Sequence, residues 1–527
     1  MPSHRPLAGR APVRCGLGLF LLAVGATGPL RGQCPDGTPP PCAARPARLA
    51  APPANSVAVL YFDNLSRDTA DAYLADGLTE EIISRLGDVP RLVVKLRSAV
   101  RRFRGTADDP ASLGRALAAA WLVSGGVRRS GERLRVDVEL TRAATGVRAW
   151  GHQYERPAGD LFAIEGEIAQ EVTRNVAGQL LPAERGRLLA VPTGDPAAYD
   201  LYLRGNRAAW DATLEGTQAG IAFYEQALRL DPHFAAALGR IAYAHGWLAN
   251  WNFTLPGVAR DSLVARGLAF ADRALREDSA SSDAWLGRGM LLFYWDPPDY
   301  AGSLEALGRA AALDSTSAAA HQAYGMALRR LGDFPRSAAE YRAAIAVDPA
   351  NSHSMADLGL IAFTFRRYPE ARAWYDSALA HDPAAWFAVM FRARVQLDLG
   401  DTADARADAA HLRRLAPEGA RPIVEPIVAQ IQALLGDTAA ARATLAPELR
   451  DLEGAGDVEI RAGFETALAF AVLGERDRAM ALLTRIRPGG AWLWSYLVMP
   501  WFDPLRADPR FQQLLRASRP PGAVDPT

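Results

Sequence analysis

The sequence predicts an α+β multidomain protein in which a small α/β domain precedes an all-α solenoid. An apolar, β-branched run at residues 56–62 suits a buried strand, and clean alternation at 133–142 predicts a strand with one buried face. Further along, Pro349, Pro383 and Pro417 follow one another at intervals of 34 residues. A fixed period of this length within a helical region indicates stacked helical repeats.

Length and composition limit the possible classes of protein. A chain of 527 residues exceeds a single core and should divide into roughly two to four domains. Lys plus Arg and Asp plus Glu each total 59, so the totals show no basic excess of the kind that nucleic-acid binders carry. All three cysteines lie within the first 42 residues, which excludes a cysteine nucleophile or thiolate metal site from the remainder.

The N-terminus carries the pattern of an export signal. Arg5, Arg10 and Arg14 precede an apolar stretch at 16–30, and a basic segment before a short apolar one is typical of secretory signals. The stretch is shorter than the roughly 20 residues needed to cross a bilayer. Residues 1–32 are therefore interpreted as a signal peptide or a signal anchor. We expect an exported protein of the periplasm or cell envelope. Contact with the membrane is expected only through the N-terminal segment, if it is an uncleaved anchor.

Residues 33–55 are rich in proline and alanine and predict an extended tether. Cys34 and Cys42 lie close together within it. Beyond an export signal, two neighbouring cysteines predict a local disulfide. Zinc is the weaker alternative, because two thiolates without a nearby histidine leave the ion under-coordinated.

The segment 56–190 predicts a compact α/β domain. After the first strand, the expected elements are a helix at 71–86, a strand at 91–96, a helix at 111–120, strands at 121–129, 133–142 and 147–154, and a helix at 160–180. Ser130-Gly131-Glu132 separates two of these strands and is typical of a hairpin turn.

This domain resembles the TolB amino-terminal-like domain found beside tetratricopeptide arrays in bacterial regulators. The matching stretches are VAVLYFDNLS, YLADGLTEEIISRL, GGVRRSGERLRVDVELTRAATGVRAWGHQYER and DLFAIEGEIAQEV. At Tyr61 the family usually has proline, so the solvent face is expected to differ there. The resemblance implies a sensor or interaction module and carries no catalytic residues. Relatives often place this domain after an output domain such as a kinase or cyclase; here it follows an export signal, so a cytoplasmic transcriptional role is not expected.

The helical region has repeated residue types in register. Gly325 and Gly359 are 34 residues apart, as are Tyr341 and Tyr375; a small residue on one helix lets the ring of the next pack closely. The spacing resembles the tetratricopeptide repeat and predicts about eight units over 197–490. Residues 491–527 are predicted to form a C-terminal cap and tail, with apolar residues covering the last groove. The Pro- and Gly-containing stretch at 191–196 predicts an ordered but separable junction.

The sequence lacks recognisable catalytic constellations. The eight histidines are scattered singly, without the paired spacing of a zinc hydrolase helix, and no nucleophile elbow or phosphate-binding loop occurs. We therefore predict a non-enzymatic protein with no catalytic residues, cofactor or metal.

The first helix of each repeat should line a concave groove. The candidate partner-binding residues on it are Gln322, Met326, Arg329, His353, Phe363, Met390 and Arg394. Arginine, aromatic and methionine side chains together could hold an extended or helical peptide; alternatively, half of them pack between neighbouring units.

The predicted function is therefore an exported scaffold that binds a protein or peptide partner and no nucleic acid. The alternatives are a small-ligand sensor that uses the α/β domain and a membrane-anchored cytoplasmic regulator.

Overall fold

The computed structural model describes residues 52–106, 108–189, 191–211, 213–251, 253, 255–295, 297–416, 420–453, 458–487, 490–524 and 526. The predicted signal segment, the tether and the Cys34–Cys42 disulfide lie outside these residues. Pro52–Thr527 forms one compact unit.

The N-terminal domain is built on a mixed sheet. Its elements are β1 (Ser56–Val59), β2 (Asp63–Asn64), α1 (Ala72–Gly87), β3 (Val93–Lys95), α2 (Arg97–Arg101), α3 (Pro110–Leu117), β4 (Trp121–Ser130), β5 (Arg133–Arg142), β6 (Val147–Pro157), α4 (Leu161–Ala177) and α5 (Pro182–Leu188). The strand order is β3-β1-β4-β5-β6, and β2 pairs with β4. Strand β1 runs parallel to β3 and β4, whereas β4, β5 and β6 are antiparallel.

Alternation fixes the buried face of this sheet. On β5, the side chains of Leu134, Val136, Val138 and Leu140 are buried, while the residues between them are half-buried or exposed. Helices α1 and α4 pack together beside the sheet and bury their apolar stripes against it. The observed order of strands and major helices is the expected one; the short helix α2 was not predicted.

The remainder is a helical solenoid. Its helices are α6 (Pro196–Ala208), α7 (Leu214–Leu230), α8 (Ala235–Trp251), α9 (Arg260–Glu277), α10 (Ser282–Phe293), α11 (Tyr300–Leu313), α12 (Ala318–Arg330), α13 (Phe334–Val347), α14 (Ser352–Thr364), α15 (Tyr368–His381), α16 (Trp386–Asp398), α17 (Thr402–Leu415), α18 (Arg421–Leu434), α19 (Thr438–Glu453), α20 (Ile460–Val472), α21 (Arg476–Leu483), α22 (Gly490–Leu497) and α23 (Pro509–Ser518). A small parallel pair, β7 (Val458–Glu459) and β8 (Ile486–Arg487), accompanies the last helices. In the described part of the chain, α6 to α21 form eight successive pairs; the first helix of each pair is called helix A below.

Close packing within a pair depends on glycine. Tyr375 on α15 is fully buried, and a Cβ atom on Gly359 of α14 would lie 2.6 Å from its ring. Gly325 and Tyr341 repeat the arrangement in the preceding pair, at 3.0 Å. The expected pairing of a small residue with a large ring is confirmed.

The junction between the α/β domain and the solenoid differs from the expected separable one. The core of the α/β domain continues into the first two helical pairs through Tyr199, Tyr202 and Phe234. The Tyr199 hydroxyl donates a 2.7 Å hydrogen bond to Glu165 on α4. Tyr61 is also buried, with its ring 5.6 Å from that of Trp210, so the expectation of an altered solvent face at this position was wrong.

The C-terminal segment, residues 490–524, packs back onto the helix A side of the solenoid. As expected, Phe502 contacts the last pair, with its ring 4.8 Å from that of Phe464 on α20. Other residues extend much further. Trp494 shares a core with Phe334, Leu358 and Ile361 of the fourth and fifth pairs. The segment therefore does more than cap the last groove, because it covers the middle of the array as well.

Candidate binding site

Helices A from distant pairs line a cavity of about 140 Å³. Its wall comes from α8, α12, α14, α16, α18, α20 and α22, so both early and late parts of the solenoid contribute. Tyr496 of the C-terminal segment completes the wall. The curvature of the array thus brings residues from its early and late pairs to one cavity.

The structure brings together five of the seven candidate groove residues. Gln322, Met326, Arg329, His353 and Met390 all line the cavity. The first three lie on one face of α12, because positions three and four apart are neighbours on a helix surface. The structure thereby collects residues of three separate helices at one site.

The other two candidates do not line the cavity. Arg394 lies behind the wall, where its guanidinium binds Glu465 and donates a 2.6 Å hydrogen bond to Gln430. Phe363 is fully buried, and its ring lies 4.8 Å from that of Trp501 in the C-terminal segment. The prediction that Phe363 faces an open groove was wrong, because the C-terminal segment covers that position.

A row of aromatic rings, here called the aromatic row, includes four residues that line the cavity, Trp251, His353, Trp386 and Phe387, and continues beyond the lining to Trp247 and Phe253. Neighbouring rings of the row lie 4.1–6.5 Å apart, measured between ring centroids. The distances are 5.7 Å from Phe253 to Trp247, 6.3 Å from Trp247 to Trp251, 6.0 Å from Trp251 to His353, 4.1 Å from His353 to Phe387 and 6.5 Å from Phe387 to Trp386. Phe253 is exposed and the others are half-buried. The row joins the second pair to the fifth and sixth.

Burial lowers the pKa of His353, although Asp357 and Asp382 oppose the shift. The imidazole is therefore neutral near pH 7, since its ordinary pKa is already about 6.5. A neutral ring stacked 4.1 Å from Phe387 behaves as one more aromatic surface of the row.

Sequence reasoning missed several residues of this site. Phe387 lies one 34-residue period after His353, so the repeat register could have identified it. Trp251 and Glu465 come from pairs with irregular spacing, and only the curvature of the solenoid brings them to the same cavity. For these two the sequence contains no comparable signal.

Within the described ranges, no group of three or more His, Cys, Asp or Glu side chains is arranged to hold a metal ion. Over the same residues, no helix combines the length and apolar character needed to cross a membrane.

Residues 323–386, from α12 to the start of α16, match the family model described as the tetratricopeptide repeat. The chain carries tetratricopeptide repeats. A curated relative named putative adenylate cyclase 3, from Rhizobium meliloti (strain 1021), is 32% identical over 246 residues, covering 46% of this chain. The chain spans only 40% of the length of that relative.

Two solved structures illustrate the likeness of the solenoid. The human IFIT1 dimer with m7Gppp-AAAA aligns at 13% identity and a TM-score of 0.42, covering 61% of this chain and 76% of that one. A thermophilic tetratricopeptide repeat protein of Thermus thermophilus, TTC0263, aligns at 18% identity and a TM-score of 0.32, covering 38% and 100%. Alignments at these identities and TM-scores carry no conclusion about function.

Proposed function

We propose that this protein is a non-enzymatic, exported scaffold whose solenoid binds a protein or peptide partner at the aromatic row. The observation that carries the proposal is the row itself, which places half-buried rings side by side along the cavity lining. Aromatic side chains in such positions commonly supply most of the binding energy of protein interfaces. Rigid rings also lose little conformational entropy when they bind.

The mode of binding follows from what covers the rest of the helix A face. Trp494 and Trp501 already occupy the positions over the middle pairs where an extended peptide would lie. A partner is therefore expected to place one or two apolar side chains against the aromatic row, without threading along the whole array.

The α/β domain and the location of the protein form part of the same proposal. Its sequence resemblance supports a TolB amino-terminal-like interaction module, and the basic and apolar pattern of residues 1–32 supports export to the periplasm or cell envelope. The cyclase activity in the name of the relative is not transferred, because the chain spans only 40% of that protein.

The test is crosslinking in the envelope fraction, followed by identification of the captured protein and binding measurements with purified components. The double variant Trp386→Ala/Phe387→Ala should weaken binding by roughly 30-fold or more, since loss of an interface anchor costs about 2 kcal/mol or more. Trp295→Ala is the matched control, because this exposed residue lies outside the cavity lining.

Circular dichroism should show equal helix content in both variants. If the double variant, folded normally, bound the partner as tightly as the control, the aromatic row would not be the binding surface. Capture of the same partner after the row is removed would lead to the same conclusion.

A further inference from the structure

The cavity lining carries two guanidiniums, Arg329 and Arg330, and two carboxylates, Asp357 and Glu465. The carboxylate of Glu465 is already paired with a third buried guanidinium, that of Arg394 behind the wall. Arg329 lies 3.5 Å from Asp357, and Arg394 is paired with Glu465. Within the part of the chain that the structure describes, this leaves Arg330 without a carboxylate partner.

The groups that accept hydrogen bonds from Arg330 are neutral. Its guanidinium donates to the Tyr294 hydroxyl and, at 3.3 Å, to the side-chain oxygen of Asn250. The ring of Trp492 lies 4.6 Å from the guanidinium carbon. Among the described residues its Nε has no acceptor, and the side chain is only 4% exposed.

A buried charge of this kind is costly unless it is paired. Neutral hydrogen bonds and an aromatic face offset part of the cost, but they do not supply an opposite charge. Arg330 and Asn250 both line the cavity, so an anion inside it would have a direct approach to the guanidinium. A carboxylate suits the planar, forked geometry of arginine best.

The rest of the cavity indicates what the anion should be attached to. Phe391, Phe464 and Tyr496 form aromatic walls, and Met326, Leu360 and Met390 supply apolar surface. The volume, about 140 Å³, is close to that of an apolar protein cavity of roughly 150 Å³ that accommodates benzene. A single six-membered ring therefore fits this space.

We propose that the cavity is a binding site for a small aromatic monocarboxylate, with its carboxylate at Arg330 and its ring between the aromatic walls. This inference goes beyond the scaffold function and does not depend on it, since Arg330 is not a member of the aromatic row, although Trp251, His353, Trp386 and Phe387 of the row line the same cavity. Ligand binding and partner capture are separate measurements, so either can fail alone.

The test uses the purified full chain and phenylacetate as the probe. Phenylacetate should raise the midpoint of thermal unfolding in proportion to the logarithm of its concentration above Kd. Phenylacetamide has the ring without the charge, and acetate has the charge without the ring; each should produce little or no shift. Equal shifts with all three compounds, or none with phenylacetate, would overturn the proposal.

Substitution at Arg330 separates binding from folding. Arg330→Met should weaken phenylacetate binding roughly 10- to 100-fold, while leaving the unliganded midpoint unchanged or higher, because it removes an unpaired buried charge. Arg329→Met is the comparison for stability alone, since Arg329 also lines the cavity; it should lower the unliganded midpoint because Asp357 loses its partner. Arg330→Lys, which keeps the charge, should retain part of the binding if the methionine variant folds poorly.

Two outcomes would count against the assignment. Unchanged phenylacetate binding in Arg330→Met would remove the guanidinium from the site. Binding of a peptide with a free C-terminal phenylalanine carboxylate, but not of phenylacetate or of the amidated peptide, would reassign the cavity to the end of a partner chain.

Discussion

At the scale of single residues, the ion pair between Arg91 and Glu184 joins the edge of the sheet to α5. The guanidinium donates to both carboxylate oxygens, at 2.9 and 2.7 Å, and to the backbone oxygen of Ala177 at 2.6 Å. The carboxylate also accepts from the backbone N–H of Leu181 at 2.9 Å. The hydrogen bonds from Arg91, followed by the one from Leu181, lower the pKa of Glu184 to about 2.

This lowered pKa predicts a pH-dependent contribution to stability. The folded pKa lies below the unfolded value of about 4.3, so stabilisation by the carboxylate is complete above that value and is lost as the pH falls towards about 2. Glu184→Gln should therefore reduce the free energy of unfolding near neutral pH and have a shrinking effect in acid. Urea titrations over this range measure the difference. Glu132→Gln, in the exposed β4–β5 turn, is the control. If Glu184→Gln lowered the free energy of unfolding by the same amount at every pH, this prediction would be contradicted.

At the scale of elements, residue periodicity accounts for most of what could be predicted. The alternation along β5 and the apolar stripe of α4 depend on near neighbours in the chain, so the sequence contains them directly. The short helix α2 has five residues, too few for a helical period to become visible. The path of the C-terminal segment depends on contacts across more than a hundred residues, such as that between Arg366 and Asp503 at 2.8 Å, and has no local signature.

The C-terminal segment should contribute strongly to the stability of the middle pairs. Trp494 is 1% exposed and packs against Phe334, Leu358 and Ile361. Trp494→Ala should cost about 3–5 kcal/mol, because it removes a large buried side chain and leaves a cavity. The midpoint of urea denaturation, followed by circular dichroism, measures the loss. Trp295→Ala removes an equally large side chain that is 38% exposed and should cost far less; similar losses would show that the segment is only loosely attached.

At the scale of the whole molecule, the candidate site depends on the curvature of the solenoid. Repeat register predicts which helix A positions face inwards, and Met326, His353 and Met390, chosen in this way, line one cavity. It could not predict that α8 and α20 approach the same cavity, because small rotations between successive pairs accumulate over the array. For the same reason the site became visible only in three dimensions.

The junction between the α/β domain and the solenoid determines how the chain can be divided. Residues 56–190 match the sequence-based domain, but their core is completed by Tyr199, Tyr202 and Phe234 from the first two pairs. Loss of these rings would uncover Glu165 on α4, which is fully buried and bonded to Tyr199. It would also expose the apolar side chains that these rings cover, and uncovered apolar surface favours aggregation and local unfolding.

A fragment of residues 52–190 should therefore be much less stable than one of residues 52–279, which retains the first two pairs. Thermal unfolding and limited proteolysis of the two fragments, at equal concentration, measure the difference. The longer fragment should melt cooperatively and resist proteolysis, whereas the shorter one should be cleaved within α1 or α4, whose covering side chains are missing. Equal protease resistance would mean that the α/β domain folds alone and that the shared core is a contact between two independent units. The shorter fragment is expected to be the less stable one because of burial: each large aromatic side chain withdrawn from the core lowers the free energy of unfolding by roughly 3–5 kcal/mol.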